Sequence, residues 1–277
     1  SDFKVVLTGE GADEVLGGYD LFKEAKVRQF WSRQPRSSVR PLLLKRLYPY
    51  LNLPAGKDAA YLKLFFGHGI DAPGEPGFSH LPRWTTTAKA KRFLSDEVLA
   101  ALGDDPVRRY LESLSETVCR TDSFNRAQFI ESKTLMSGYL LCSQGDRMLM
   151  MNSVEGRFPF LDHRVIEFAS TLRPELKMKV LNEKYLLKQA VQRYLPAAIV
   201  KRHKQPYRAP DVNLSTSSDL AAKCLSPESV SASGLFDAGR VNRLRDKAIR
   251  GRLSTSESQA LTGILTTQMV HQRFCQQ

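Results

Sequence analysis

Residues 5–19 read VVLTGEGADEVLGGY, and no other stretch constrains the fold as tightly. Val5, Val6 and Leu7 form a short continuous apolar run. That pattern predicts a buried strand of a parallel sheet, covered on both faces. The run stops at Thr8, and Gly9 and Gly11 follow, with Glu10 between them and Asp13 and Glu14 after them. A strand feeding an acid-bearing glycine loop and then a helix places those acids at the carboxyl end of a sheet. Open α/β sheets bind their ligands there. Gly9 and Gly11 are expected to let the backbone turn sharply or approach a ligand closely. Asp13 and Glu14 equally suit a plain helix start, where the dipole favours acids.

After this strand the sequence reads as largely helical. Residues 17–34 carry apolar side chains at helical spacing, and Pro35 and Pro41 break the pattern. Residues 70–86, with three prolines and two glycines, predict a surface loop. Weak helices are expected over 94–103 and 106–118. Asp122 is placed to cap a long helix from Ser123 to about Leu141. Asn182 is placed to cap a helix carrying Leu187, Val191 and Leu195, which Pro196 stops. That puts Lys184 in its first turn. Residues 206–234 predict loops around one or two short helices. Residues 238–275 predict two helices parted near Gly251–Thr255. The fold class is α/β: a remnant of a parallel nucleotide-binding sheet followed by a mostly α-helical region.

The formal net charge of +12 raises the question of an anionic partner. The basic residues are spread through the chain, without an aromatic-interleaved stripe. A solvated helical surface accounts for most of them, so nucleic acid is not expected as a partner. No apolar run of membrane-spanning length occurs, and the start lacks signal-peptide character. The four cysteines, Cys119, Cys142, Cys224 and Cys275, are far apart, as free thiols of a cytoplasmic protein would be. The five histidines are scattered and suggest no metal site. Met148, Met150 and Met151 read as core filling.

Three further blocks join the first. GDRMLMMNSVEGRFPFLDHRVIEFA at 145–169 holds an E-x-R-x-P-F-L-D core from Glu155 to Asp162. EKYLLKQA lies at 183–190 and RHKQPYRAP at 202–210. In order and spacing these blocks resemble the asparagine synthase (glutamine-hydrolysing) family over nearly the whole chain. The resemblance implies a sheet of the adenine nucleotide alpha hydrolase type, and the C-terminal part of the synthetase domain over residues 1–277. The family's S-G-G-x-D-S-type phosphate loop and its N-terminal glutaminase domain do not occur in these 277 residues. Asparagine formation by this chain alone is therefore not expected.

The implied reaction uses ATP and Mg²⁺. The side-chain carboxylate of aspartate is activated as β-aspartyl-AMP, and ammonia from glutamine then attacks it. The resemblance assigns Asp13 to the metal, since Mg²⁺ typically takes one or two protein carboxylates. Glu10 becomes the general base for the ammonia step or the group that orients the nucleophile, and Glu14, ranked behind both acids, is the alternative that orients the loop. Lys184 neutralises charge as pyrophosphate leaves. Gly9, Gly11, Arg157 and Lys204, with Gln205 beside it, become nucleotide-binding, and Glu155 faces the substrate. Two alternatives stay open. Glu155, Arg157 and Asp162 suit a structural ion-pair cluster as well as a ligand site, and Lys184 suits an exposed surface lysine. A related adenylating ligase that closes a β-lactam or peptide ring is the alternative activity. Its β-lactam-forming members carry tyrosine where this chain has Glu10, so Glu10 favours ammonia as nucleophile.

Overall fold

The computed structural model describes residues 3–48, 57–103, 105–205 and 219–275. The chain divides into two compact units, residues 1–82 with 114–206 and residues 83–113 with 207–277.

In the first unit, strand β1 (Val5–Leu7) pairs in parallel with strand β2 (Glu155–Arg157). Val5 faces Glu155 and Leu7 faces Arg157. The ladder runs on at both ends, Glu155 N–H donating to Lys4 O at 2.8 Å and Thr8 N–H to Arg157 O at 2.9 Å. A parallel pair needs a long crossover, and helices fill the interval here. The parallel strand is as the apolar run predicts, but its burial is not: Leu7 is 74% exposed and Val5 40%. Among the described residues the sheet has two strands, and only its middle positions, Val6 and Gly156, are half-buried, with Leu149 and Phe158 against Gly156. An apolar run records what a strand would bury, not which neighbours it has.

Past the loop come a short helix α1 (Ala12–Leu16) and helix α2 (Asp20–Ser32). Helix α2 is buried on both flanks. On one side Leu21 and Phe22 meet Phe124 and Ala127 of helix α3 (Ser123–Glu131), together with Met178. The rings of Phe22 and Phe124 lie 5.4 Å apart. On the other side Val27 and Trp31 pack with Leu44, Leu47, Phe66 and Phe78. Arg28 is fully buried there, lying 4.0 Å over the Phe78 ring and donating from Nε to Phe66 O at 2.9 Å. A buried guanidinium is tolerated because its donors end on carbonyls. Asp122 caps α3 as its position predicts, its Oδ1 accepting from Phe124 N–H at 2.8 Å. The regular helix ends at Glu131, ten residues before the predicted end, and continues as a wider π-helical coil over Ser132–Asp146. Thr134 and Ser137 hydroxyls donate to carbonyls four residues back within it, which loosens a regular ladder. Met148, Met150 and Met151 are exposed, which corrects their reading as core.

The second unit closes around Leu225, Val230, Val241, Leu244, Leu261 and Ile264. Its two long helices, Ala238–Ile249 and Thr255–Phe274, part where the sequence predicts. The break is built from Gly251, at φ 65°, and a capping box in which Ser254 and Glu257 satisfy each other's backbone N–H. Residues 206–218 of the predicted loop lie outside the described residues; helices Asp219–Cys224 and Pro227–Ser233 follow. All four cysteines are free. Among the described residues no helix is long and apolar enough to cross a membrane.

Candidate active site

The site lies in the first unit, where the glycine loop leaves β1. Gly11 sits at φ 87°, a left-handed conformation that only glycine adopts without cost. The Leu161 side chain packs against it, so a Cβ at position 11 would overlap Leu161. The P-F-L-D turn thus seats directly on the loop. Gly9 has open space around it and an ordinary φ. The turn therefore requires glycine at 11 and not at 9.

Asp13, in the first turn of α1, meets two lysines from distant blocks. Lys204 Nζ donates to Asp13 Oδ2 at 2.9 Å. Lys184 Nζ lies 2.8 Å from Asp13 Oδ1. Oδ1 is buried, and the Lys184 ammonium is the charge that faces it. All three side chains are largely buried, at 14%, 22% and 24% exposure for Asp13, Lys184 and Lys204. Two ammonium groups against one carboxylate leave the cluster with an excess positive charge, which suits an anionic ligand. Gly18 lies flush against it: a Cβ there would overlap both Asp13 Oδ1 and Lys184 Cε.

Lys184 is not in a helical first turn. It is the N-cap of helix α4 (Tyr185–Val191), at φ 50° and ψ 37°. Asn182 does not cap that helix. It pairs with Lys179 in a tight reversal, with N–H to carbonyl distances of 2.9 and 3.1 Å. Two residues past the reversal, Lys184 adopts a left-handed conformation that ordinary residues avoid.

Glu14, also on α1, is 1% exposed and accepts from the Tyr19 hydroxyl at 2.7 Å. Burial pushes its carboxyl up, and the Tyr19 hydrogen bond offsets part of that. Gln128 of α3 donates to Val15 O at 3.0 Å, at the end of α1. The Glu14 carboxylate thus ties α1 to Tyr19. Glu10 is half-buried in the turn. Its N–H donates to Thr8 Oγ1 at 3.3 Å, and among the described residues its carboxylate takes no hydrogen bond.

Glu155 and Arg157 project from one face of β2 and pair with each other at 2.8 Å, both about 60% exposed. Asp162 takes no part in that pair. It caps the following helix, His163–Thr171, and binds Arg164 at 2.8 Å. Of the ion-pair alternative, the Glu155–Arg157 half is present and the Asp162 half is not. Among the described residues no cluster of three or more His, Cys, Asp or Glu side chains is arranged to hold a metal. Asp13 fits a hard cation as one carboxylate ligand, the cation taking the place of the Lys184 ammonium 2.8 Å from Oδ1.

The sequence reading misses three residues of this site: Gly18, Tyr19 and Glu183. Glu183 stands in the EKYLLKQA block but has no periodicity or spacing of its own to mark it.

Residues 1–272 match the family model described as asparagine synthase. The chain belongs to the asparagine synthase family. It is 30% identical to "Asparagine synthetase [glutamine-hydrolyzing] 1" of Bacillus subtilis over 216 residues, covering 74% of this chain and 30% of that protein. It is 29% identical to "Amidase chyE" of Penicillium rubens over 221 residues, covering 75% of this chain and 32% of that protein. "Asparagine synthetase [glutamine-hydrolyzing] 3" of Bacillus subtilis is 29% identical over 208 residues, covering 74% and 26%. The chain spans about a third or less of the length of these curated relatives. No solved structure matches it.

Proposed function

We propose that the protein carrying this chain is an ATP-dependent amide-forming ligase that converts aspartate to asparagine. The reading runs through β-aspartyl-AMP, with ammonia drawn from glutamine. The observation that supports it most is the meeting of Lys184 and Lys204 on Asp13, just past the carboxyl end of β1. The two ammonium groups come from different blocks and lie within 3 Å of one carboxylate. They supply fixed positive charge where phosphate oxygens carry the developing negative charge, an arrangement that lowers a barrier without reorganisation. Lys184 faces the departing pyrophosphate, and Lys204 grips the nucleotide phosphates. The backbone of the Gly9–Gly11 turn approaches the nucleotide. Asp13 Oδ1 would hold Mg²⁺, which when bound neutralises phosphate charge.

Glu10 serves the second half of the reaction. Ammonia attacks the activated carbonyl carbon, a C–N bond forms, the C–O bond to AMP breaks, and Glu10 takes the excess proton. Its half-buried carboxylate, which takes no hydrogen bond among the described residues, suits that task. Glu155 faces the amino group of aspartate, and Arg157 accepts a phosphate or carboxylate after leaving Glu155. A ring-closing ligase uses the same activation, and the glutamate at position 10 favours ammonia over an internal amine. We place the protein in the cytoplasm, with aspartate, glutamine and ATP as its substrates.

The test uses the full-length protein with ATP, Mg²⁺, aspartate and either ammonia or glutamine. Pyrophosphate and asparagine should appear in equal amounts, and only with aspartate present. Pyrophosphate release without asparagine, or amidation of a different acid in preference, overturns the assignment.

A further inference from the structure

We infer that Glu183 is a positioning residue, whose buried carboxylate sets both Lys184 and Lys204 onto Asp13. The inference rests on the proposed reading of that cluster as the nucleotide-facing part of the site.

Glu183 touches neither Asp13 nor the ammonium group of Lys184 or Lys204, yet it holds both cations by different means. Its side chain is 4% exposed. Oε2 lies 2.9 Å from Lys23 Nζ, and Lys23 in turn binds Asp20 Oδ1 at 3.1 Å. Both partners belong to α2, the most deeply packed helix of the unit. Oε1 accepts from Lys188 Nζ at 3.0 Å, one turn into α4, and from the backbone N–H of Lys204 at 3.3 Å. One carboxylate thus joins α2, the start of α4 and the 202–205 segment. Lys184 is its next neighbour along the chain and sits in a left-handed conformation. Such a conformation persists only where the surroundings over-determine it, and Glu183 is fixed on one side while α4 begins on the other. Lys204 is docked by its own backbone. Its side chain then runs past the Tyr19 ring, 5.6 Å from the centroid, to Asp13.

The charge of Glu183 is central to this role. Burial alone would raise its pKa, but hydrogen bonds from Lys23 and Lys188 outweigh it and hold the carboxyl at about 2. Two ammonium groups and a backbone N–H all point at the carboxylate. A glutamine of the same shape would turn NH₂ donors toward other donors, so one side of the junction must open.

The test reads lysine position directly. Trace acetylation of the ligand-free full-length protein, followed by mass spectrometry, measures how accessible each amine is. Lys184 and Lys204 should label slowly in the wild type, because both are paired with Asp13. Glu183→Gln should raise labelling of both several-fold. Lys177, held by Asn125 and Gln128, should keep its rate. Pyrophosphate formation should fall about 10-fold or more in kcat with KM for aspartate little changed, and Glu183→Asp should restore part of it. If Glu183→Gln does not fold, as a rise at Lys177 would show, Glu183→Asp is labelled instead, and its shorter reach should still loosen Lys204. Unchanged labelling of Lys184 and Lys204 in a folded variant overturns the inference. Increased labelling without any fall in pyrophosphate formation leaves the anchor in place and overturns the nucleotide reading instead.

Discussion

Lys184 joins two requirements in one residue: an ammonium group placed on Asp13 and a left-handed backbone. Substitution separates them. Lys184→Ala removes the charge and keeps a Cβ in the left-handed region, so stability should change little. Lys184→Gly removes the charge and relieves the backbone, worth about 1 kcal/mol. Both should cut pyrophosphate formation about 10²-fold, while thermal melting ranks glycine at or above the wild type. Near-normal turnover in both would return Lys184 to an ordinary surface role.

The two acids of the loop should divide their work in the same way. Asp13→Asn leaves the two lysines facing a neutral amide, and a poorer cation ligand. Pyrophosphate release itself should slow. Among the described residues the Glu10 carboxylate takes no hydrogen bond, so Glu10→Gln should leave that release largely intact and slow only asparagine formation, because an amide cannot accept the proton. Following the two products separately decides it. Equal loss of both steps in both variants would mean that the loop acts as one unit.

At the scale of elements, the junction of α2, α4 and the 202–205 segment should show itself in pH dependence. The Glu183 carboxyl is at about 2 in the folded protein against an ordinary 4.5. A folded pKa below the unfolded one gives stability that is present above about 4.5 and is lost as pH falls from there toward 2. Denaturant melts at pH 5 and pH 3 should therefore differ less in Glu183→Gln than in the wild type. Parallel acid limbs in the two proteins would show that the carboxylate is not held by these contacts in solution. Legibility at this scale was uneven. Asp122 and the break between the last two helices were readable, because an N-cap and a capping box are local hydrogen bonds between near neighbours. The start of α4 was not. Asn182 has the right side chain for a cap, but its backbone is committed to Lys179, and a sequence does not show which of two local bonds wins.

The two units of the whole molecule each have a separate core, so a cavity in one is expected to be felt there first. Leu261 is fully buried among Val230, Val241 and Leu244. Leu261→Ala should destabilise the second unit by roughly 2–5 kcal/mol. Hydrogen exchange would show faster opening over 238–275, with the amides of α2 and α3 unchanged. Equal loss of protection in α2 and α3 would show that the chain opens as one body.

What the sequence by itself determined is the set of chemical groups and their local settings. The strand, the turn at Gly11 and the acids after it are readable because short motifs carry their own backbone geometry and charge, whereas the late lysines come from the family resemblance alone. What only the tertiary structure decided is who meets whom. Asp13, Lys184 and Lys204 are separated by up to 191 residues, and α2 and Glu183 bring them together. Glu155 and Arg157 found each other instead of a shared cluster with Asp162, because alternate residues of a strand share a face. The apolar run of β1 predicts burial, yet Val5 and Leu7 are exposed and only Val6 is half-buried, since burial belongs to the packing around a strand. Ion pairs across such distances are held by buried partners far from them in sequence, and no local pattern encodes those partners.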